Sequence, residues 1–132
     1  MTAKLGPSIG HVGIYVQDLE RSDAFYRPLL KAIGFEVIFQ TPQFIVYGAD
    51  GKPHFEIYVG KPRTSPLHIA FHVGSEEEVV AFHRLALELG AQDNGCPGIR
   101  KYPGIPPFYA SFIIDPINEN NLEACCETLA DE

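Results

Sequence analysis

The chain of 132 residues is 45% hydrophobic and 20% charged, with a formal net charge of −7. That is one domain's worth of sequence with an ordinary globular composition, which excludes disordered and collagen-like chains. Ten Lys and Arg against seventeen acids form no basic stripe, which argues against nucleic acid and an anionic membrane surface as partners. No stretch has the apolar length needed to cross a bilayer. The first ten residues lack the apolar core of a secretory signal, so the expectation is a cytoplasmic protein.

The first strand signal is Ile9–Val16, with His11, Gly13 and Tyr15 on one face and Val12, Ile14 and Val16 on the other. Asp18 can cap a helix running to about Ile33, with Phe25, Leu29, Leu30 and Ile33 as its apolar positions. Gly34 closes it in a left-handed conformation, and Pro28 inside it predicts a kink. Three strands follow, at Phe35–Gln40, Phe44–Ala49 and His54–Val59, the last two joined by a turn over Asp50–Pro53. Gly60–Pro66 reads as a linker.

Then the pattern restarts. Leu67–Val73 is a second opening strand, and Ser75 with Glu78 forms a capping box for a helix that continues through Phe82, Ala86 and Leu89 to Gly90. His11 falls on His68, Val16 on Val73 and Asp18 on Ser75; one gap brings Gly34 onto Gly90. This is an internal duplication, with repeats at about 9–59 and 67–126 in one domain spanning 1–132. Gln92–Pro107, rich in Pro and Gly, reads as loop. Tyr109–Ile114 and Asn121–Cys126 are the closing strands, and Glu127–Glu132 a polar tail.

Cys96, Cys125 and Cys126 are odd in number with no CxxC spacing, which suggests reduced thiols rather than a disulfide framework or a thiolate zinc site. Adjacent Cys125 and Cys126 should face opposite sides of their strand.

Each repeat carries a His in its first strand and a Glu in its last: His11 with Glu56, and His68 with Glu123. Both acids are flanked by apolar residues, and an inward carboxylate is costly unless paired, protonated or bound to a metal. Imidazole and carboxylate at equivalent places in a duplicated unit therefore point to one shared cation. His72 should share the face of His68, as a pocket residue or in a structural hydrogen bond. His83 on the second helix reads as packing or solvent-facing, and His54 as a strand-end residue. Arg100, Tyr102 and Tyr109 border the loop-rich segment, where they could orient a substrate or simply pack.

The paired β-α-β-β-β layout, together with HVGIYVQDLERSDAFY, LHIAFHV and ASFIIDPINENNLEA, resembles the vicinal oxygen chelate superfamily of glyoxalases, bleomycin-resistance proteins and extradiol dioxygenases. The likeness runs from about Ile9 to Cys126. It implies an α+β fold in which the paired modules form an incompletely closed eight-stranded mixed sheet with flanking helices. It also implies a homodimer, and a divalent metal (Zn, Ni, Co, Fe or Mn) held by His11, Glu56, His68 and Glu123. A glyoxalase-like lyase or isomerase acting on a small vicinal-oxygen substrate follows, with Glu123 or Glu56 as catalytic base. An Fe(II) dioxygenase and a metal-free sequestering resistance protein are the alternatives. Two departures stand out. Asp115-Pro116-Ile117-Asn118 replaces the usual Asp-Pro-Asp-Gly turn, a loop change; and many relatives lack an acid at Glu56, without which the site becomes a two-His-one-carboxylate triad.

Overall fold

The computed structural model describes residues 6–64 and 66–128. The elements follow in the order β1 (Val12–Val16), α1 (Leu19–Ala32), β2 (Glu36–Gln40), β3 (Phe44–Ala49) and β4 (Lys52–Val59), then β5 (His68–His72), α2 (Glu76–Glu88), β6 (Gln92–Tyr102), β7 (Ile105–Ile114) and β8 (Asn121–Glu127). The eight strands form two four-stranded mixed sheets, ordered β1-β4-β3-β2 and β5-β8-β7-β6. In each, the first and last strands of the repeat pair in parallel and the rest antiparallel. This is the open α+β arrangement of paired modules that the family resemblance implies. Among the described residues no helix is long and apolar enough to cross a membrane.

The duplication extends to the helix ends. Asp18 accepts the Arg21 N–H at 2.9 Å, and Ser75 Oγ accepts the Glu78 N–H at 3.2 Å. Gly34 (φ 102°) and Gly90 (φ 100°) follow the two helices in the left-handed region where a Cβ would be strained. Ser22, Phe25, Tyr26 and Leu29 of α1 are buried, as are Val79, Phe82, His83 and Ala86 of α2, the same stripe shifted by one repeat. Helix α1 continues through Pro28.

One hydrophobic cluster draws on both halves. Phe71 meets Phe55 and Phe82 with ring centroids 6.1 and 6.4 Å apart, so the helix-backed faces of the two sheets share a core. A polar clasp crosses the same seam. The buried Asp115 carboxylate accepts the Ile117 and Asn118 N–H groups and the Tyr26 hydroxyl. Asn118 Nδ2 donates to Ser22 Oγ (3.0 Å) and Asn120 Nδ2 to Tyr26 Oη (2.9 Å). The Asp115–Asn120 connection is therefore more than a loop change: its asparagines dock the second half onto α1. Burial, reinforced by Asp115, holds the Tyr26 hydroxyl well above the ordinary phenol range.

Several boundaries differ from expectation. Gln92–Pro107 is not a loop but all of β6, the tight turn after it and the start of β7. It pairs antiparallel with three register shifts, at Asp93/Gly95, Gly95/Gly98 and Arg100/Tyr102. An edge strand tolerates Pro97 and the glycines because its outer hydrogen-bonding groups face no neighbour, and bulges absorb the irregular residues. Lys52 and Pro53 belong to β4, leaving Asp50 (φ 55°) and Gly51 (φ 71°) as the hairpin turn. β1 begins at Val12, one residue past His11. Glu127 ends β8, while residues 129–132 of the expected tail lie outside the described residues.

Replacing Tyr26 with Phe leaves the buried Asp115 carboxylate one donor short, and should cost about 1–3 kcal/mol of unfolding free energy in urea denaturation. A change below about 0.5 kcal/mol would mean the clasp contributes nothing specific.

Candidate functional site

The parallel ladders set the site's geometry. Gly13 on β1 lies opposite Glu56 on β4, and Ala70 on β5 opposite Glu123 on β8. Phe55 and Ile57, and likewise Leu122 and Ala124, point into the core, so alternation turns both glutamates to the face away from the helices. There each meets the histidine of its own half. His68 Nε2 stands 3.0 Å from Glu123 Oε1, and His11 Nε2 stands 3.8 Å from Glu56 Oε2. Both carboxylates are buried, at 8% exposure for Glu56 and 5% for Glu123. Both imidazoles are about half exposed, at 53% for the His11 side chain and 51% for His68.

The second pair is the more constrained. His68 Nδ1 faces the Asn121 carbonyl oxygen at 3.2 Å, and the ring stacks with Phe112 at 6.0 Å. A proton on Nδ1 would donate to that carbonyl and leave the Nε2 lone pair beside Glu123. The Arg100 guanidinium lies over the Phe112 ring, 5.3 Å from its centroid. Burial pushes the Glu123 carboxyl above its ordinary value, opposed by His68 and Arg100; burial and Glu123 together push the Cys125 thiol up to about 11. In the first half the Tyr58 hydroxyl donates to Glu56 Oε1, which raises Tyr58 to about 12. Tyr58 was not anticipated from sequence, although its place two residues after Glu56 puts it on the same face. Gly13 leaves room for it: a Cβ there would come within 3.0 Å of the Tyr58 ring.

Within one chain the four residues form two pairs rather than a quartet. Among the described residues, no three of them bring ligand atoms within 4.8 Å of one another. A cavity of about 510 Å³ lies against the edge strands of both sheets, lined by His68, His72, His54, Phe35 and Phe71 among others. His72, exposed and opposite Cys125, shares the His68 face, and His54 stacks on Phe35 at 5.0 Å. Arg100 reaches the site face through Phe112, but two of the weaker pocket candidates do not. Tyr109 pairs with Cys126 on the helix side and packs against the core; Tyr102, half exposed, meets Phe108 in a tilted ring contact near the tip of the β6–β7 hairpin. Alternation from Ser111 and Ile113, both buried under α2, places Tyr109 there. Cys126 is in the core and Cys125 beside Glu123, opposite faces as adjacent strand residues require.

The two sheet faces are not equivalent. Tyr15, Tyr58, Phe44 and Phe39 form a chain of ring contacts across all four strands of the first sheet, with centroids 6.0, 5.3 and 5.8 Å apart. Tyr15 and Phe39 are more than half exposed. In the second sheet, His72 and Cys125 stand at the places of Tyr15 and Tyr58.

Residues 8–104 match the family profile of the Glyoxalase/Bleomycin resistance protein/Dioxygenase superfamily. Among solved structures, a glyoxalase/bleomycin resistance protein from Albidiferax ferrireducens superposes with a TM-score of 0.77 at 27% identity, covering 90% of this chain and 98% of that one. A putative glyoxalase from Bacillus halodurans gives 0.68 at 28% identity, with 89% and 94% covered. A glyoxalase/bleomycin resistance protein/dioxygenase family enzyme from Burkholderia phytofirmans (TM-score 0.71, 19% identity, 90% and 98% covered) shares the fold. No protein of curated function matches.

Because burial disfavours the ionised Glu123, its charge is a stability cost that is absent below the ordinary carboxylate value, grows as pH rises past it, and is complete above the raised folded value, so it is present at neutral pH. Glu123→Gln should therefore make the chelator-treated protein about 1 kcal/mol more stable to urea at pH 7. Destabilisation instead would assign the carboxylate a structural role.

Proposed function

Because the chain belongs to the Glyoxalase/Bleomycin resistance protein/Dioxygenase superfamily, we propose that it is a metal-dependent, glyoxalase-like lyase or isomerase. Its substrate on this reading is a small molecule with two neighbouring oxygens. One observation carries the reading: the same His–Glu pair occurs twice, at equivalent places, with both carboxylates buried. A buried acid without a compensating charge is expensive, and neither pair supplies one while its imidazole is neutral.

The donor set fits a divalent cation. Two neutral imidazoles and two carboxylates balance its charge, and the Asn121 carbonyl beside His68 Nδ1 is the kind of partner that orients a ligating imidazole. His11, Glu56, His68 and Glu123 would hold it. Bound there, zinc, nickel, cobalt, iron or manganese would supply the Lewis acidity that stabilises an enediolate-type oxyanion. Glu123 or Glu56 would take the proton beside the substrate carbonyl. The Tyr58 hydroxyl orients Glu56, and Arg100 adds positive charge beside Glu123. Since each chain carries its pairs apart, the reading includes a homodimer in which the first pair of one copy faces the second pair of the other. The half-exposed imidazoles support it.

The exposed aromatic chain from Tyr15 to Phe39 favours a second reading, a metal-free cup that sequesters a flat apolar molecule. Elemental analysis separates the two. The enzyme reading expects about one divalent ion per chain, lost in His68→Ala and Glu123→Ala without unfolding. Metal-free protein that retains ligand binding after chelation supports sequestration. If the site is a dioxygenase-type triad, Glu56→Gln weakens metal binding less than Glu123→Gln.

Complementation tests the shared site. His11→Ala and His68→Ala proteins should each lose their metal, yet unfolded and refolded together they should regain one ion per mixed dimer, because one of its two sites is intact. No recovery would rule out sharing between copies.

A further inference from the structure

We infer that His83, Asp93 and Cys96 form a second, separate site for a zinc-type divalent ion, tying α2 to the edge strand β6. Among the described residues these three are the only such group whose ligand atoms all lie within 4.8 Å of one another. His83 occupies the core-facing stripe of α2, at the place Tyr26 holds in α1. Its imidazole is buried, at 7% exposure, yet its Nε2 reaches out to Asp93 Oδ1 at 2.9 Å. The other Asp93 oxygen accepts the Cys96 thiol at 3.4 Å, and the Gly95 N–H holds Oδ1 at 2.9 Å.

The strand is built irregularly where the three meet. Residues three apart on a regular strand face opposite sides, so Asp93 and Cys96 could not share a partner. The register shifts at Asp93/Gly95 and Gly95/Gly98 remove that alternation and bring carboxylate and thiol to the same side. A tetrahedral ion with bonds of about 2.0–2.3 Å needs ligand atoms roughly 3.3–3.6 Å apart. His83 and Cys96 contact different Asp93 oxygens, at 2.9 and 3.4 Å, while one ligand atom from each of the three residues lies within 4.8 Å of the others, so gathering them around one ion takes side-chain shifts of up to about 1 Å.

One imidazole nitrogen, one carboxylate and one thiolate suit zinc, cobalt or cadmium, and a water can complete the shell from the exposed side. Metal entry displaces the thiol proton to solvent, and dication, carboxylate and thiolate sum to zero. That neutrality matters because the Arg100 guanidinium donates to the Cys96 carbonyl at 2.7 Å. None of the three residues belongs to the two His–Glu pairs, so this site stands or falls independently of the proposed activity.

Cobalt(II) distinguishes the sites, since only a thiolate ligand produces the near-ultraviolet thiolate-to-cobalt charge-transfer band. Titrating the metal-stripped full chain should give that band in wild type and in Cys125→Ser, with one ion per chain at the thiolate site beyond any taken up by the His–Glu pairs. Cys96→Ser, at an exposed position, should abolish it while circular dichroism shows an intact fold. Asp93→Asn should weaken cobalt binding by roughly 10–100-fold, the loss common even for partners that only support a ligand. No band in wild type, or a band that survives Cys96→Ser, overturns the proposal; survival with loss in Cys125→Ser would move the thiolate to the side of Glu123.

Discussion

The parallel pairing of β1 with β4 and of β5 with β8 is the constraint on which both sheets and both His–Glu pairs depend. Parallel neighbours cannot be joined by a tight turn, so each repeat spends a helix and two further strands before its last strand returns beside its first. Register is then decided by what each face buries. Sliding β4 by one residue would turn Ile57 outward and Glu56 into the core; the same slip in β8 would bury Glu123 under α2. Burying each of Phe55, Ile57 and Leu122 contributes about 1.5–3 kcal/mol, so the register that seats them wins and the glutamates are carried to the opposite face.

The halves are joined by a different kind of interaction. Their shared core is non-directional, whereas the clasp of Asp115 with Tyr26, Asn118 and Asn120 is satisfied in one relative placement. A buried carboxylate with several donors needs no cation, and this separates Asp115 from Glu56 and Glu123. Three buried acids thus meet the same desolvation problem in two ways. Asp115 is met by an internal polar network; the other two lie on the open face beside half-exposed imidazoles, Glu123 against His68 and Glu56 against His11 with the Tyr58 hydroxyl as its donor.

Duplication followed by divergence explains why the two sheets are alike in ligands and unlike in surroundings. Cys125 stands where the first half has Tyr58 and His72 where it has Tyr15, so the first face is aromatic and the second polar. On the helices His83 stands at the place of Tyr26. In each half this position reaches a carboxylate: Asp115 across the seam in the first, Asp93 of the same half in the second.

Sequence alone determined the repeat, the two helices with their caps and terminal glycines, seven of the eight strands, and the matched His–Glu pairs. Each of these rests on local chemistry: period-two or period-3.6 burial, a capping side chain, a glycine at positive φ. It misread Gln92–Pro107 because Pro and Gly signal loops locally, while long-range pairing with β7 can hold them in a bulged edge strand. It placed Tyr109 near the pocket because strand phase depends on which face α2 covers. Only the tertiary structure decided that the four ligand candidates stand as two pairs in one chain, that Tyr58 holds Glu56, and that His83, Asp93 and Cys96 meet. Those facts come from register, bulges and the packing of distant segments, which no window of neighbouring residues encodes.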